Sequence, residues 1–168
     1  MDGHYAGVFV FDPKDDFVLC VSDSKHPNEL KMAGGMSVEG ETPEQTARRE
    51  ATEELRTQIL AGTRVCTETI NGRNGTHVRH FFLAERISGA LEKGATWEVE
   101  EKDADGKVVE KLTARWVPLR EFAEKLFLKQ HPAFGAILVK LACQSAKFCA
   151  EYEDLLQRFP EPKNRGLD

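Results

Sequence analysis

The chain has 168 residues, 40 % of them apolar and 30 % charged, a balance that fits one globular domain and excludes extended disorder away from the ends. A net charge of −5 with no block of Lys or Arg excludes the electrostatic footprint of a duplex-binding protein. No run of about 20 apolar residues exists, so no membrane association by a spanning helix is expected; the longest candidate, residues 133–150, is interrupted by Lys140 and Lys147.

The first residues carry no basic leader and no cleavage site, so no signal peptide is expected. Residues 3–11 and 16–22 are rich in Val and Phe and flank the turn Asp12-Pro13-Lys14-Asp15, which predicts a β-hairpin. Residues 23–30 read as a polar loop, and Gly34, Gly35 and Gly40 mark a glycine-rich loop after it. A helix is predicted from Pro43 to about Arg56. Thr42 is its N-cap, Pro43 fits the first helical position, and Gln45 completes a capping box. Its apolar stripe is Ala47, Ala51 and Leu55.

Residues 64–70 and 78–86 predict two strands around the loop 71–75, and 97–102 with 107–117 predict a hairpin around Asp103-Ala104-Asp105-Gly106. Residues 118–128 read as a short helix and 132–158 as a long C-terminal one. The order of strands, helix, strands and helices predicts an α/β or α+β fold, a mixed β-sheet between helices. One domain is expected over residues 1–159, with a mobile tail at 160–168. Cys20, Cys66, Cys143 and Cys149 form no CxxC pair and read as free thiols in a reducing cytoplasm. His77 and His80, three apart on a strand, face opposite ways and make a poor ligand pair.

The chemistry lies in residues 35–57, GMSVEGETPEQTARREATEELRT. Glu50, Glu53 and Glu54 stand at i, i+3 and i+4, so a helix carries all three carboxylates on one face. Three like charges there repel and call for a cation, and clustered hard oxygen donors suit Mg²⁺ or Mn²⁺. A solvated acidic face is the commoner explanation of a bare triad.

The surrounding residues decide against it. The stretch resembles the Nudix signature, G-x5-E-x7-R-E-U-x-E-E-x-G-U with U a bulky aliphatic residue: Gly35, Glu41, Arg49, Glu50, Glu53 and Glu54 all occupy its places. Six such matches in register have a chance on the order of 10⁻⁷ per starting position. The strand His80-Phe81-Phe82-Leu83-Ala84-Glu85 and the segment Arg115-Trp116-Val117-Pro118-Leu119-Arg120-Glu121-Phe122 are similar to later parts of the same family. Three places depart from it. Ala51 takes an aliphatic position, Thr57 another, and Arg56 stands where the signature has the glycine that ends the helix. Without that glycine the helix is expected to run on towards Ile59 or Leu60, until Gly62.

The resemblance implies the Nudix fold and a small-molecule nucleotide or other diphosphate as substrate. Glu50 and Glu54 are then the principal metal ligands, with the Gly35 carbonyl beside them and Glu53 as a further ligand or as the group that polarises the attacking water. Glu41 and Arg49 tie the loop to the helix as an ion pair. A further base in this family often comes from a downstream loop; Glu98, Glu100, Glu101 and Glu110 are candidates, and Glu110 is favoured by its spacing from Trp116. Lys31, Arg64, Arg73 and Arg79 are cations suited to an outer phosphate, with Lys31 and Arg79 preferred. Tyr5, Trp97 and Trp116 are aromatic candidates for stacking a base, Trp116 reading better as core.

The expected activity is therefore Mg²⁺-dependent hydrolysis of a nucleoside triphosphate or related nucleotide. Two alternatives stand beside it: a nucleotide-binding regulatory domain without turnover, motivated by Arg56, and an isoprenoid diphosphate isomerase, which needs a Cys–Glu pair that the sequence does not supply. No Pro or Tyr at about fifteen residues past the box marks a sugar-nucleotide or dinucleoside-polyphosphate enzyme. The oligomeric state, monomer or homodimer, is left open.

Overall fold

The computed structural model describes residues 3–72 and 75–163. The first hairpin forms as its pattern requires. β1 (His4–Asp12) and β2 (Phe17–Asp23) run antiparallel, with Val10 opposite Leu19 and Asp12 opposite Phe17. Side chains close the turn: the Lys14 amide donates to Asp12, the Phe17 amide to Asp15, and Asp16 takes the left-handed φ of 60° that a short polar residue tolerates.

The stretch expected as a polar loop is a strand. β3 (His26–Lys31) returns along β2, and β4 (Ala33–Met36) then crosses to pair with β1. Only Leu30 of β3 is buried, so the alternation that betrays a strand is absent from its sequence. The expected glycine loop is likewise part of the sheet at Gly34 and Gly35. A Cβ on Gly34 would strike the Tyr5 hydroxyl and the Ala6 carbonyl, so glycine is what lets β4 lie against β1.

β5 (Gln58–Gly72) and β6 (Gly75–Ser88) form a long antiparallel hairpin, and β6 lies parallel to β1, which makes the sheet mixed. On the other side β8 (Val108–Pro118) pairs with β2, and β7 (Trp97–Lys102) with β8. The strand order is β5-β6-β1-β2-β8-β7, with β3 on β2 and β4 on β1.

Alternation along the strands divides the core in two. Val8, Val10, Leu19 and Trp116 meet Ala47, Ala51 and Leu55 of α1 (Pro43–Leu55). Phe9, Phe81 and Val117 face the opposite way, towards α2 (Leu119–Lys125), a 3₁₀ turn (Leu128–Gln130) and α3 (His131–Gln144). The long helix expected over 132–158 is three helices: α3, α4 (Ala146–Glu151) and α5 (Glu153–Arg158). Ser145 breaks it, with extended φ and ψ of −150° and 113°, and its hydroxyl accepts from the Phe148 amide as the cap of α4. Serine competes for backbone donors in this way and favours caps over helix interiors.

The breaks let Phe148, Tyr152, Leu155 and Phe159 all turn into the core. The Phe159 and Pro160 carbonyls lie so close over Gly135 that no side chain fits there. Of the tail expected to start at 160, residues 164–168 lie outside the described residues, as does Arg73. Among the described residues no helix is long and apolar enough to cross a membrane.

Candidate active site

α1 starts where its sequence says. Thr42 Oγ1 accepts from the Gln45 amide at 3.2 Å, and the Gln45 side chain accepts from the Thr42 amide at 2.9 Å. The helix ends at Leu55, not beyond Arg56 as its missing glycine led one to expect. Arg56 itself adopts a left-handed φ of 51°, and its amide and that of Thr57 both return to the Ala51 carbonyl. The arginine thus performs the glycine's turn, at a conformational cost of about 1–2 kcal/mol for a residue with a Cβ.

Ala47 and Ala51 let α1 lie close on the sheet, and this sets its acidic residues against β4. Glu50 is 8 % exposed and Glu54 6 %. When both are ionised the two carboxylates repel, which favours keeping a proton on Glu54. Burial, and then the negative charge of Glu50, pushes Glu54 up to about 9, against the pull of the Gly34 amide that donates to it at 3.0 Å. Burial also raises Glu50, although the Arg49 guanidinium draws it back.

Gly35 backs directly onto Glu50; any Cβ there would occupy the space of the carboxyl group. Glu53 is turned outward, its side chain 53 % exposed. Arg49 is the cation the triad holds in this structure. Its Nη1 lies 3.0 Å from Glu50 and 3.2 Å from Glu53, while Nε and Nη2 grip Glu41 at 2.7 and 3.1 Å. Nη2 also donates to the Met36 carbonyl at 2.9 Å, so one guanidinium ties the loop before α1 to the helix. That grip draws Glu41 down to about 2.

Across from the helix stands the β7–β8 hairpin. Trp97, Val99 and Glu101 share the face of β7 opposite Ala114, Leu112 and Glu110 of β8. Glu101 lies directly opposite Glu110, and its pKa is raised by burial, by Glu110 and by the charge of Glu50; Lys31 offsets part of this. Glu98 and Glu100 lie on the other face of the hairpin, opposite Thr113 and Lys111.

The remaining sequence candidates fall into distinct places. Lys31 donates to the buried Asp23 at 2.8 Å and lies 4.8 Å from the Phe127 ring. Arg79 pairs with Glu68, donates to the Lys129 carbonyl and stacks over Phe81. Arg64 approaches His80 on the α1 side instead. Trp116 packs in the core, its indole donating to the Leu91 carbonyl at 2.6 Å. Tyr5 leans on Phe81 below β4, where burial and the charge of Glu54 push its phenol well above the usual range.

Gln130 was invisible to sequence reasoning. Its Oε1 accepts from the Met32 amide at 2.8 Å, joining the 3₁₀ turn to the chain between β3 and β4. No motif or spacing announces it. Asp23, which holds Lys31, was equally unmarked.

The donor chemistry fits a hard divalent cation. Two buried, mutually repelling carboxylates and a glycine that leaves them room form an oxygen-rich concavity whose excess negative charge is only partly met by Arg49. Among the described residues no three acidic, His or Cys side chains are already gathered around one point, since Glu53 is turned to Arg49 and Glu54 to the Gly34 amide.

The comparisons with known proteins bear on the fold and the family. Among curated proteins no sequence matches the chain. In fold it is similar to the E. coli ORF135 protein, with 16 % identity and a TM-score of 0.61 over 87 % of this chain and 96 % of that one. It is similar also to a MutT from a study of Aliivibrio salmonicida and Vibrio cholerae, with 15 % identity and a TM-score of 0.57 over 86 % of this chain and all of that one. A MutT NUDIX hydrolase from Burkholderia pseudomallei aligns at 20 % identity and a TM-score of 0.50, over 71 % of this chain and 85 % of that one. The family description that matches the sequence itself is the NUDIX domain, over residues 2–137. With the match spanning most of its length, the chain belongs to the NUDIX domain family of hydrolases.

Proposed function

We propose that the chain is a Mg²⁺- or Mn²⁺-dependent pyrophosphohydrolase acting on a nucleoside triphosphate or a related nucleoside diphosphate-linked compound. The observation that carries this reading is the buried Glu50–Glu54 pair, whose repulsion is relieved by a divalent cation that an uncharged ligand cannot replace. Glu50, Glu54 and the Gly35 carbonyl would hold the ion. When bound, it supplies Lewis-acid neutralisation of the phosphate oxygens.

The chain's own residues account for the rest. A water oxygen bonds to one phosphorus, the bridging P–O bond breaks, and the leaving phosphate departs with the bonding pair. The water's proton passes to a carboxylate. Glu53, on the open side of α1, and Glu101, backed by Glu110, are the two groups suited to receive it, and the raised pKa of Glu101, which makes its carboxylate more basic, supports its role as base. Lys31 and Arg79, each anchored by an acidic partner, are suited to the outer phosphates. The cysteine thiols support a reducing, cytoplasmic setting, and the continuous sheet supports a single domain over residues 1–159.

A panel of nucleoside triphosphates, nucleotide sugars, dinucleoside polyphosphates and capped RNA, each with Mg²⁺ and with Mn²⁺, tests the reading by phosphate or pyrophosphate release. Turnover should need the metal and should fall at least about 100-fold in Glu54→Gln and Glu50→Gln. Undiminished turnover in both variants sinks the site assignment.

A further inference from the structure

Arg56 and Trp97 are joined in a way the hydrolysis scheme has not used. The Arg56 guanidinium lies 5.1 Å above the Trp97 ring, and the Trp97 indole donates to the Glu53 carbonyl at 3.2 Å. That carbonyl is in the last turn of α1, where the helix supplies it no N–H donor, because the Arg56 and Thr57 amides return to Ala51 instead. Trp97 is also the first residue of β7, paired with Ala114, and it packs against the α1 side of the core. Four residues on, along the same face, comes Glu101. One indole therefore bonds the end of the helix bearing Glu53 and Glu54 to the strand bearing Glu101.

We propose that Arg56 and Trp97 form a clasp that positions the β7–β8 hairpin against the end of α1, and so sets Glu101 relative to Glu50, Glu53 and Glu54 for hydrolysis. The arginine in the signature's glycine position is on this view a gain. Its left-handed backbone aims the side chain across the indole, and the cation holds the ring in the orientation from which Nε1 reaches the Glu53 carbonyl. Both are positioning residues, and the functional part of the proposal rests on the reading of Glu101 as a reaction carboxylate.

Hydrogen exchange and kinetics on the full chain test the two parts separately. Trp97 and Trp116 are the two tryptophans, so both indole N–H signals are assignable in a ¹H–¹⁵N spectrum. Arg56→Gly restores the glycine without straining the backbone. It should leave the melting temperature unchanged or raised, yet speed exchange of the Trp97 indole and of the β7 amides by about tenfold. Trp97→Phe keeps a ring and removes the donor. It should lower kcat for ribonucleoside triphosphates by about tenfold with KM little changed, and Trp97→Phe/Glu101→Gln should be no slower than Glu101→Gln alone. Unchanged β7 exchange in Arg56→Gly and Trp97→Phe overturns the clasp, whatever the kinetics. Losses that multiply in the double variant overturn the route through Glu101. Full turnover in Glu101→Gln overturns the reading of that glutamate and the clasp's part in the reaction, while the exchange result still decides the contact.

Discussion

Glu54 is the residue on which the physics of this site is plainest. Its carboxyl holds a proton up to about 9 in the folded chain against an ordinary 4.5. A raised carboxyl pKa means that the folded state binds the proton more tightly than the unfolded state. The stability contributed by this group is thus complete below about 4.5 and is lost as pH rises towards 9. Melting in EDTA should show a fall in Tm across that window, flattened in Glu54→Gln and offset in wild type by added Mg²⁺; an equal slope in the variant refutes it. Gly35 offers a second check. Alanine there displaces the Glu50 carboxyl without straining φ, so Mn²⁺ binding followed by EPR should weaken at least about tenfold while the urea midpoint moves little. Unaltered Mn²⁺ affinity would show that Glu50 is not a ligand.

At the scale of elements, caps determine where helices begin and which side chains they deliver. The Thr42–Gln45 box fixes the first turn of α1, and through it the phase of Glu50, Glu53 and Glu54. Ser145 does the same for α4 and so turns Phe148 inward. Thr42→Ala and Ser145→Ala should each cost about 1 kcal/mol in urea unfolding. Only the first should also lower turnover, because only α1 carries the carboxylates. A loss of turnover in Ser145→Ala would mean that the helical layer reaches the site by a route the packing does not suggest.

For the whole molecule, the sheet separates two functions. Its one face holds α1 and the proposed site. The other holds the aromatic core, where Phe134 is fully buried among Phe9, Phe122 and Phe159. Phe134→Ala should cost about 3–5 kcal/mol by chemical unfolding, from lost burial and the cavity left behind. Turnover per folded molecule at 25 °C should stay close to wild type, since the change lies across the sheet from the carboxylates. A selective fall in kcat in the folded variant would contradict that separation.

The sequence by itself determined what depends on local spacing. Glutamates at i, i+3 and i+4 share a helix face in any α-helix, the Thr42 and Gln45 cap is complete within four residues, and alternating Val and Phe declare the first hairpin. It was silent where the deciding partner is remote. β3 has one buried residue, so its strand character comes from pairing with β2 and not from its own pattern. Arg56 looked like a lost helix stop, and only its position over Trp97, far along the chain, shows how a non-glycine residue is held in a left-handed turn. Ser145 was hidden in an apolar periodicity that continues across the break. Which downstream glutamate faces the helix, Glu101 with Glu110 behind it, followed from strand register alone, because a shift of one residue sends a side chain to the other face. Composition and periodicity are local properties, whereas the opposition of α1, β4 and β7 that gathers these carboxylates is long-range.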